Sequence, residues 1–228
     1  MNEEERLAQA VSRTQVLRPP KQALATFGMT NISYYLLTRP AYAAGDEAET
    51  VVRTGCVIAN RPRIVTPYYL SRLDGFSTDA RRYFQKLIEM HGADAPGIYY
   101  TYRNEPHSTD IISNGIDDVL SKINAEIDAR NDPLAAIIRG EDTLWDVSLL
   151  KFIFEMTSVS LGSNLADFRS RGLLDVAGGV PAEARVSIED MFRRLKEGAI
   201  EPHDLQQELE RWGLFEAYQD RFLATFRR

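Results

Sequence analysis

The sequence predicts an α/β or α+β fold: a mixed sheet with flanking helices, a central buried helix and an all-helical C-terminal extension. Three observations lead to this prediction. Residues 143–161 are apolar at helical spacing around most of the circumference. Strand-like and helix-like patterns alternate through the first 160 residues. After residue 161 the patterns are helical only.

The stretch 143–161 (TLWDVSLLKFIFEMTSVSL) is the best-defined element. A helix that is apolar nearly all round is normally covered by its neighbours. Thr143 followed by Asp146 has the form of a capping box, which marks where the helix begins. We therefore expect a buried central helix here.

The other elements follow from changes in hydrophobic period. The predicted strands are 23–27, 31–38, 50–59, 97–103 and 134–138. The predicted helices are 2–13, 68–73, the segment between Ser77 and Gly92, 116–130, 188–197, 202–212 and 214–227. The runs 31–38 and 50–59 flank an exposed, mobile loop at 41–49 and are expected to form an antiparallel pair.

The predicted organisation has three parts. Residues 1–17 form an N-terminal helical arm, because Arg18-Pro19-Pro20 is a stiff break. Residues 18–177 form the α/β body. Gly178-Gly179-Val180-Pro181 is the linker to a three-helix C-terminal extension at 183–228.

Composition is that of an ordinary soluble globular protein: 228 residues, 44% apolar, 26% charged and a net charge of −6. No apolar run approaches the roughly 18 residues of a membrane span, and the N-terminus lacks the apolar core of a secretory signal. One cysteine, Cys56, suits a reducing compartment. We expect a cytoplasmic protein without membrane contact.

The charge is unevenly distributed along the chain. Residues 50–103 carry eight basic and four acidic side chains, and residues 104–182 carry six basic and thirteen acidic ones. The basic region 50–103 predicts an anionic ligand, with chance placement as the alternative. DNA is an unlikely partner, because the would-be recognition helix 202–212 is acidic and phosphate would repel it.

Motifs of the common enzyme classes are missing. The sequence has no GxxxxGK[ST], GxGxxG, GxSxG or HExxH segment. The histidines His91, His107 and His203 lie in separate elements, and one cysteine is too few for a structural zinc site. We expect neither metal nor cofactor, and lean against an enzyme.

One constellation predicts chemistry. If the strands 50–59, 97–103 and 134–138 are parallel neighbours, the loops after them share one edge of the sheet, where ligands bind in open α/β sheets. These loops are 60–63, 104–110 and 140–142. In this crevice Arg61 and Arg63 would hold an anion. The candidates for proton transfer or metal binding are Glu105, His107 and Asp110. The alternative is three ordinary polar loops.

Aromatic and arginine side chains predict an interaction surface, since tyrosine, tryptophan and arginine are enriched where proteins bind. One set is Tyr68, Tyr69, Arg72, Tyr100, Tyr102 and Arg103. Strand alternation puts Tyr100 and Tyr102 on one face. The other set is Trp212, Phe215, Phe222 and Phe226, which either dock onto the body or meet another protein or a second copy.

These observations favour a non-catalytic interaction or regulatory protein, a cytoplasmic adaptor or a subunit of a larger assembly. The alternative is a small enzyme or a nucleotide- or anion-binding protein that uses the polar crevice at the ends of the strands.

Overall fold

A computed structural model describes residues 2–42, 49–73 and 77–226. The strands, in chain order, are β1 (Gln15–Arg18), β2 (Thr30–Thr38), β3 (Thr50–Ala59), β4 (Arg63–Val65), β5 (Gly97–Tyr99), β6 (Tyr102–Ile112), β7 (Ala135–Arg139), β8 (Val176–Ala177) and β9 (Val180–Pro181). The helices are α1 (Glu3–Arg13), α2 (Pro67–Ser71), α3 (Thr78–His91), α4 (Ile116–Arg130), α5 (Trp145–Ser170), α6 (Ala182–Lys196), α7 (Pro202–Arg211) and α8 (Phe215–Ala224). One 3-10 turn, Asp142–Leu144, precedes α5.

The chain divides into two compact units. Unit 1 comprises Met1–Arg61 and Tyr100–Asn164, and unit 2 comprises Pro62–Tyr99 and Leu165–Arg228. This division differs from the predicted boundaries, because residues 62–99 share a core with the C-terminal helices and not with the sheet.

Unit 1 is built on a five-stranded mixed sheet in the order β1-β7-β2-β3-β6, so the predicted α/β architecture is confirmed. β2 and β3 pair antiparallel, as the sequence predicts, and β2 pairs parallel with β7. Consecutive buried residues of β7 alternate between two cores. A strand that is covered on both faces has a continuous run of apolar residues, and this explains why residues 135–138 of β7 are all apolar.

Two helices cover the two faces of this sheet. α4 packs Val119, Ile123 and Ile127 on one face, together with Leu37 of β2. On the other face α5 packs a stripe consisting of Leu149, Phe152 and Met156. Unit 1 is therefore a three-layer α/β/α arrangement.

α5 is longer than predicted, and within unit 1 only one side of it is buried. The sheet-facing stripe is covered, whereas Leu150, Phe154 and Leu161 on the opposite side are 65%, 71% and 46% exposed. The apolar composition all round the helix predicted burial on every side. The sheet has a single face to offer here, so the outer apolar side chains stay in solvent.

The predicted loop 104–110 is a strand, and this overturns the crevice of parallel neighbours. Residues 102–112 form β6, which pairs antiparallel with β3 along its whole length. The predicted strand 97–103 is divided between β5 and β6. Backbone pairing with a well-formed neighbour outweighs the polar composition of this segment, and Pro106 is tolerated because it lies on an edge strand at a register shift.

Two smaller predictions are also wrong. Residues 23–27 form turns and irregular chain, not a strand. The predicted linker 178–181 is part of a hairpin in which β8 and β9 pair across Gly178 and Gly179. Both glycines have positive φ, 59° and 76°, the conformation that a two-residue hairpin turn requires. Most of the predicted mobile loop 41–49 lies outside the described residues.

Unit 2 has a core of its own. The small sheet β4–β5 and the helices α2, α6, α7 and α8 enclose it. Its buried apolar residues are Val65, Tyr69, Val180, Ala184, Ile188, Phe192, Leu205, Leu209, Trp212 and Phe222. The helices predicted for the C-terminal extension therefore bury their apolar faces against one another and against residues 65–70.

No helix within the described part of the chain is both long enough and apolar enough to cross a membrane.

Gly140 connects β7 to the start of α5 at a point of very close packing. Its N–H donates to the Leu37 carbonyl at 3.0 Å, which continues the parallel ladder by one residue. A β-carbon at Gly140 would lie 2.3 Å from the Ser148 hydroxyl oxygen of α5. That hydroxyl in turn accepts from Thr14 at 2.7 Å, so α1, β7 and α5 are joined at one buried point.

Gly140→Ala should therefore destabilise the protein by about 1–3 kcal/mol, the usual effect of adding a methyl group to a packed site. Gly162→Ala is the matched control on α5, because a β-carbon there meets nothing within 4 Å. It should stabilise the helix by roughly 1 kcal/mol. Chemical denaturation of the two variants and the unaltered chain measures both effects. Equal stability of the two variants would contradict the close packing at Gly140.

Candidate anion-binding site

A polar pocket of about 710 Å³ opens in unit 1 at the edge where β2 and β7 end. Because these two strands are parallel, with Leu37 opposite Arg139, the chain leaves both at the same edge. The carboxyl edge of parallel strands is where open α/β sheets bind ligands. The pocket is lined by Ser12, Arg13, Gln15, Arg39, Ala41, Ile116, Arg139, Gly140, Glu141, Asp142 and Thr143.

Three arginines line this pocket, and two of them have no anionic partner in the part of the chain that the structure describes. Arg39 directly follows β2, and Arg139 is the last residue of β7. Among residues 2–42, 49–73 and 77–226, neither guanidinium forms a hydrogen bond or an ion pair. Arg13, at the end of α1, pairs with Glu141 at 2.6 Å. The Arg13 side chain is 61% exposed, so this ion pair is held only weakly.

Asp142 fixes the loop that follows β7. Its Oδ1 accepts from Arg53 Nη2 at 2.7 Å and from the Thr38 hydroxyl at 2.9 Å, and its Oδ2 accepts from the Ala41 N–H at 3.0 Å. Partial burial by itself would raise the pKa of this carboxyl, but the three hydrogen bonds outweigh burial and hold the pKa below its ordinary value. The Asp142 charge is therefore already neutralised by Arg53, and Arg39 and Arg139 remain as surplus positive charge among the described residues.

The predicted anion-binding pair is separated between the two units. In unit 1, Arg61 lies with its guanidinium 5.9 Å from the centre of the Phe27 ring. In unit 2, Arg63 forms an ion pair with Glu208, whose side chain is 5% exposed. The anion that Arg63 holds is thus a carboxylate of its own unit.

Arg63 belongs to a buried cluster around Glu208. The Tyr69 hydroxyl donates to Glu208 Oε2 at 3.0 Å, and Trp212 Nε1 donates to Glu208 Oε1 at 2.9 Å. Burial alone would lower the pKa of Arg63, but the Glu208 carboxylate reverses this and raises it, so the guanidinium stays charged. Three residues predicted as site residues, Arg63, Tyr69 and Trp212, therefore meet as a core network.

The predicted catalytic candidates lie on the exposed edge strand β6 and do not line this pocket. Glu105 pairs with Arg103 at 2.8 Å, and Asp110 accepts from the Ser108 hydroxyl at 2.8 Å. The loop crevice that joined Glu105, His107 and Asp110 to the arginines is not formed, so their catalytic role stays a prediction without its geometric basis.

The predicted interaction residues are distributed over both units, and two of the tyrosines pack against α5. In unit 1 the rings of Tyr100 and Tyr102 lie side by side with centroids 6.4 Å apart, as strand alternation predicts. Their hydroxyls bond to α5: Tyr100 donates to Asn164 at 2.8 Å, and Tyr102 bonds to Thr157. Burial raises the pKa of Tyr100 to about 12.

In unit 2 Tyr68 stacks under the Arg72 guanidinium at 4.5 Å, and Arg72 also donates to the Glu210 carbonyl at 2.8 Å. Of the C-terminal aromatic residues, Trp212 and Phe222 are core and Phe215 packs against them. Phe226 stays 51% exposed. This set therefore packs in the core of unit 2 and not on the five-stranded sheet, and Phe226 contacts the Phe222 ring with centroids 5.3 Å apart.

Sequence reasoning missed Arg13, Arg39 and Arg139. A usable signal exists for two of them, because Arg39 and Arg139 each come directly after a buried β-type run. Only the parallel pairing of β2 with β7 makes them neighbours. No group of three or more His, Cys, Asp or Glu side chains within the described residues is placed to hold a metal ion.

No family model, curated protein or solved structure matches this chain.

Asp142→Asn tests how the pocket loop is held. The variant should lose about 1–3 kcal/mol of stability at neutral pH, because Arg53 loses its anion. The pKa of Asp142 is lower in the folded state than its ordinary 3.8, so protonation favours unfolding. The stability difference between the unaltered chain and the variant should be full above that value and shrink as pH falls below it. Denaturant titrations between neutral pH and about pH 3 measure it. A pH-independent difference would contradict an ionised Asp142.

Proposed function

We propose that this protein binds a small anionic ligand in the pocket at the carboxyl ends of β2 and β7. The observation that carries the proposal is the pair Arg39 and Arg139, two guanidinium groups that line one pocket without an anion among the described residues. Guanidinium groups match the geometry of phosphate and carboxylate oxygens through paired hydrogen bonds. The proposed site lies outside the basic region 50–103, whose anionic ligand stays a separate prediction.

The pocket is suited to binding because its walls are held in place before a ligand arrives. Asp142 is bonded to three donors, and Gly140 is packed tightly on α5. A preformed site avoids the entropy loss of ordering the loop on binding. Arg13 can add a third cation, since its exposed pair with Glu141 contributes little.

The single cysteine fits a reducing compartment, and we propose a cytoplasmic location.

Isothermal titration with inorganic phosphate and with succinate tests the proposal. Arg39→Gln and Arg139→Gln should each weaken binding of the better anion by roughly tenfold or more, the value of one charge-assisted hydrogen bond. Arg6→Gln is the matched control, because it removes the same charge from an exposed position on α1 that does not line the pocket. It should leave affinity unchanged.

Glu141→Gln tests the same site through an increase in anion affinity. It removes the carboxylate that competes for Arg13, so anion affinity should rise by up to about fivefold. The proposal fails if neither anion binds the unaltered chain, or if Arg6→Gln weakens binding as much as the pocket variants do.

A second candidate function is self-association through the outer side of α5, as expected of a regulatory protein or a subunit of an assembly. Leu150, Phe154 and Leu161 form an exposed stripe with helical spacing. The hydroxyls of Thr157 and Ser158 beside it donate to carbonyls of the same helix at 2.7 and 2.9 Å. Covering them would leave no donor unpaired. The stripe side chains carry no charge, and the neighbouring Lys151 and Glu155 pair with each other at 3.5 Å, so two identical copies can meet there with little like-charge repulsion.

Light scattering on size-exclusion eluates measures the mass. The unaltered chain should elute as a dimer, and Phe154→Ser as a monomer with the same circular dichroism spectrum. Met29→Ser is the control, since Met29 is 69% exposed and does not belong to the stripe. A monomeric mass for the unaltered chain at its highest attainable concentration would rule this candidate out.

A further inference from the structure

The charge balance of the pocket at the ends of β2 and β7 indicates how much negative charge its ligand carries. The positive charge of Arg13 is balanced by Glu141, and the negative charge of Asp142 is balanced by Arg53. Among the described residues Arg39 and Arg139 have no partner of opposite charge, and together they carry two positive charges. A phosphate monoester carries about −1.5 to −2 charges at neutral pH, whereas a single carboxylate carries one. A phosphate therefore balances the surplus that a monocarboxylate would leave half neutralised.

Backbone groups at the pocket wall favour the same ion. Ile116, the first residue of α4, lines the pocket, and the preceding Gly115 offers no side chain to cap the helix. The first amide N–H groups of α4 therefore lack a capping side chain. Such N–H groups bind phosphate oxygens readily. Asp117 and Asp118 in the first turn reduce this attraction, so the two arginines remain the principal anchors.

The remaining lining indicates the organic part of the ligand. A volume of about 710 Å³ falls within the range of pockets that hold small organic molecules, so the space exceeds what a bare ion needs. Besides the charged groups, the wall presents the Ser12 and Thr143 hydroxyls and the Gln15 amide. None of the described lining residues is aromatic, although nucleobases are commonly held by aromatic stacking. Hydroxyl and amide groups instead match a polyhydroxylated molecule.

We infer that the ligand is a phosphorylated sugar or polyol, with its phosphate on Arg39 and Arg139 and its hydroxyls on Thr143 and Gln15. This inference rests on the proposed anion-binding function and adds the chemical class of the ligand. Arg39 and Arg139 determine affinity for any phosphate, and Thr143 and Gln15 distinguish a phosphate ester from the inorganic ion.

The test is a calorimetric panel on the full chain. The probes are inorganic phosphate, glucose 6-phosphate, ribose 5-phosphate, glycerol 3-phosphate, glucose, AMP and succinate. At least one of the three sugar or polyol phosphates should bind about tenfold or more tightly than inorganic phosphate, as one or two additional hydrogen bonds provide. Glucose alone should not bind measurably, because it lacks the phosphate.

Variants separate the two parts of the site. Thr143→Val and Gln15→Leu should lower affinity for the preferred phosphate ester toward that of inorganic phosphate and leave inorganic phosphate binding unchanged. Arg39→Gln should weaken both. Thr143 and Gln15 are exposed and have no side-chain hydrogen bond within the described residues, so folding should be unaffected and thermal denaturation checks this.

Each contrary outcome has a distinct meaning. Equal binding of inorganic phosphate and all three esters overturns the sugar or polyol assignment and leaves anion binding intact. Tighter binding of AMP, or of succinate, overturns the ligand class in favour of a nucleotide or a dicarboxylate. If none of the anions binds, the proposed function itself fails.

Discussion

Parallel pairing between β2 and β7 decides where the chain of unit 1 emerges from its sheet. Because Leu37 lies opposite Arg139, both strands end at one edge, and the segments that follow must start side by side. The Gly140 N–H extends the ladder, and the absence of a side chain at Gly140 lets Ser148 approach closely. The arginine pocket is a consequence of this arrangement: two arginines that are 100 positions apart in the sequence line one space.

Unit 2 is organised around a buried charge. Glu208 accepts from Tyr69 and Trp212 and pairs with Arg63, so residues from β4, α2 and α7 are joined through one carboxylate. Removing one partner of such a pair leaves a buried charge uncompensated and typically costs about 3–5 kcal/mol. This network explains why aromatic and arginine residues that resemble a recognition surface in the sequence belong to the core. Their composition is the same in both roles, and only burial separates them.

The proposed ligand site and the exposed side of α5 are both features of unit 1, but they rest on different physics. Ligand binding in the pocket depends on unmatched charge in a preformed space, so a single arginine substitution should weaken the affinity strongly. Self-association through the outer stripe of α5 depends on apolar area, and the adjacent charges of Lys151 and Glu155 offset each other. Either property can exist without the other, and the two sets of experiments are independent.

The sequence by itself determined the helices and the strands β2, β3 and β7. The periodicity of residues 116–130 and the apolar runs of β2, β3 and β7 are local signals, and the structure has the predicted helix and strands there. The candidate site could be predicted only in part: residues 140–142 were expected at a ligand edge, but Arg39 and Arg139 were not. Tertiary structure decided strand order, the strand character of 104–110 and the burial of Arg63. Each depends on which distant segment supplies a hydrogen bond or a countercharge, and a single sequence carries no record of that pairing.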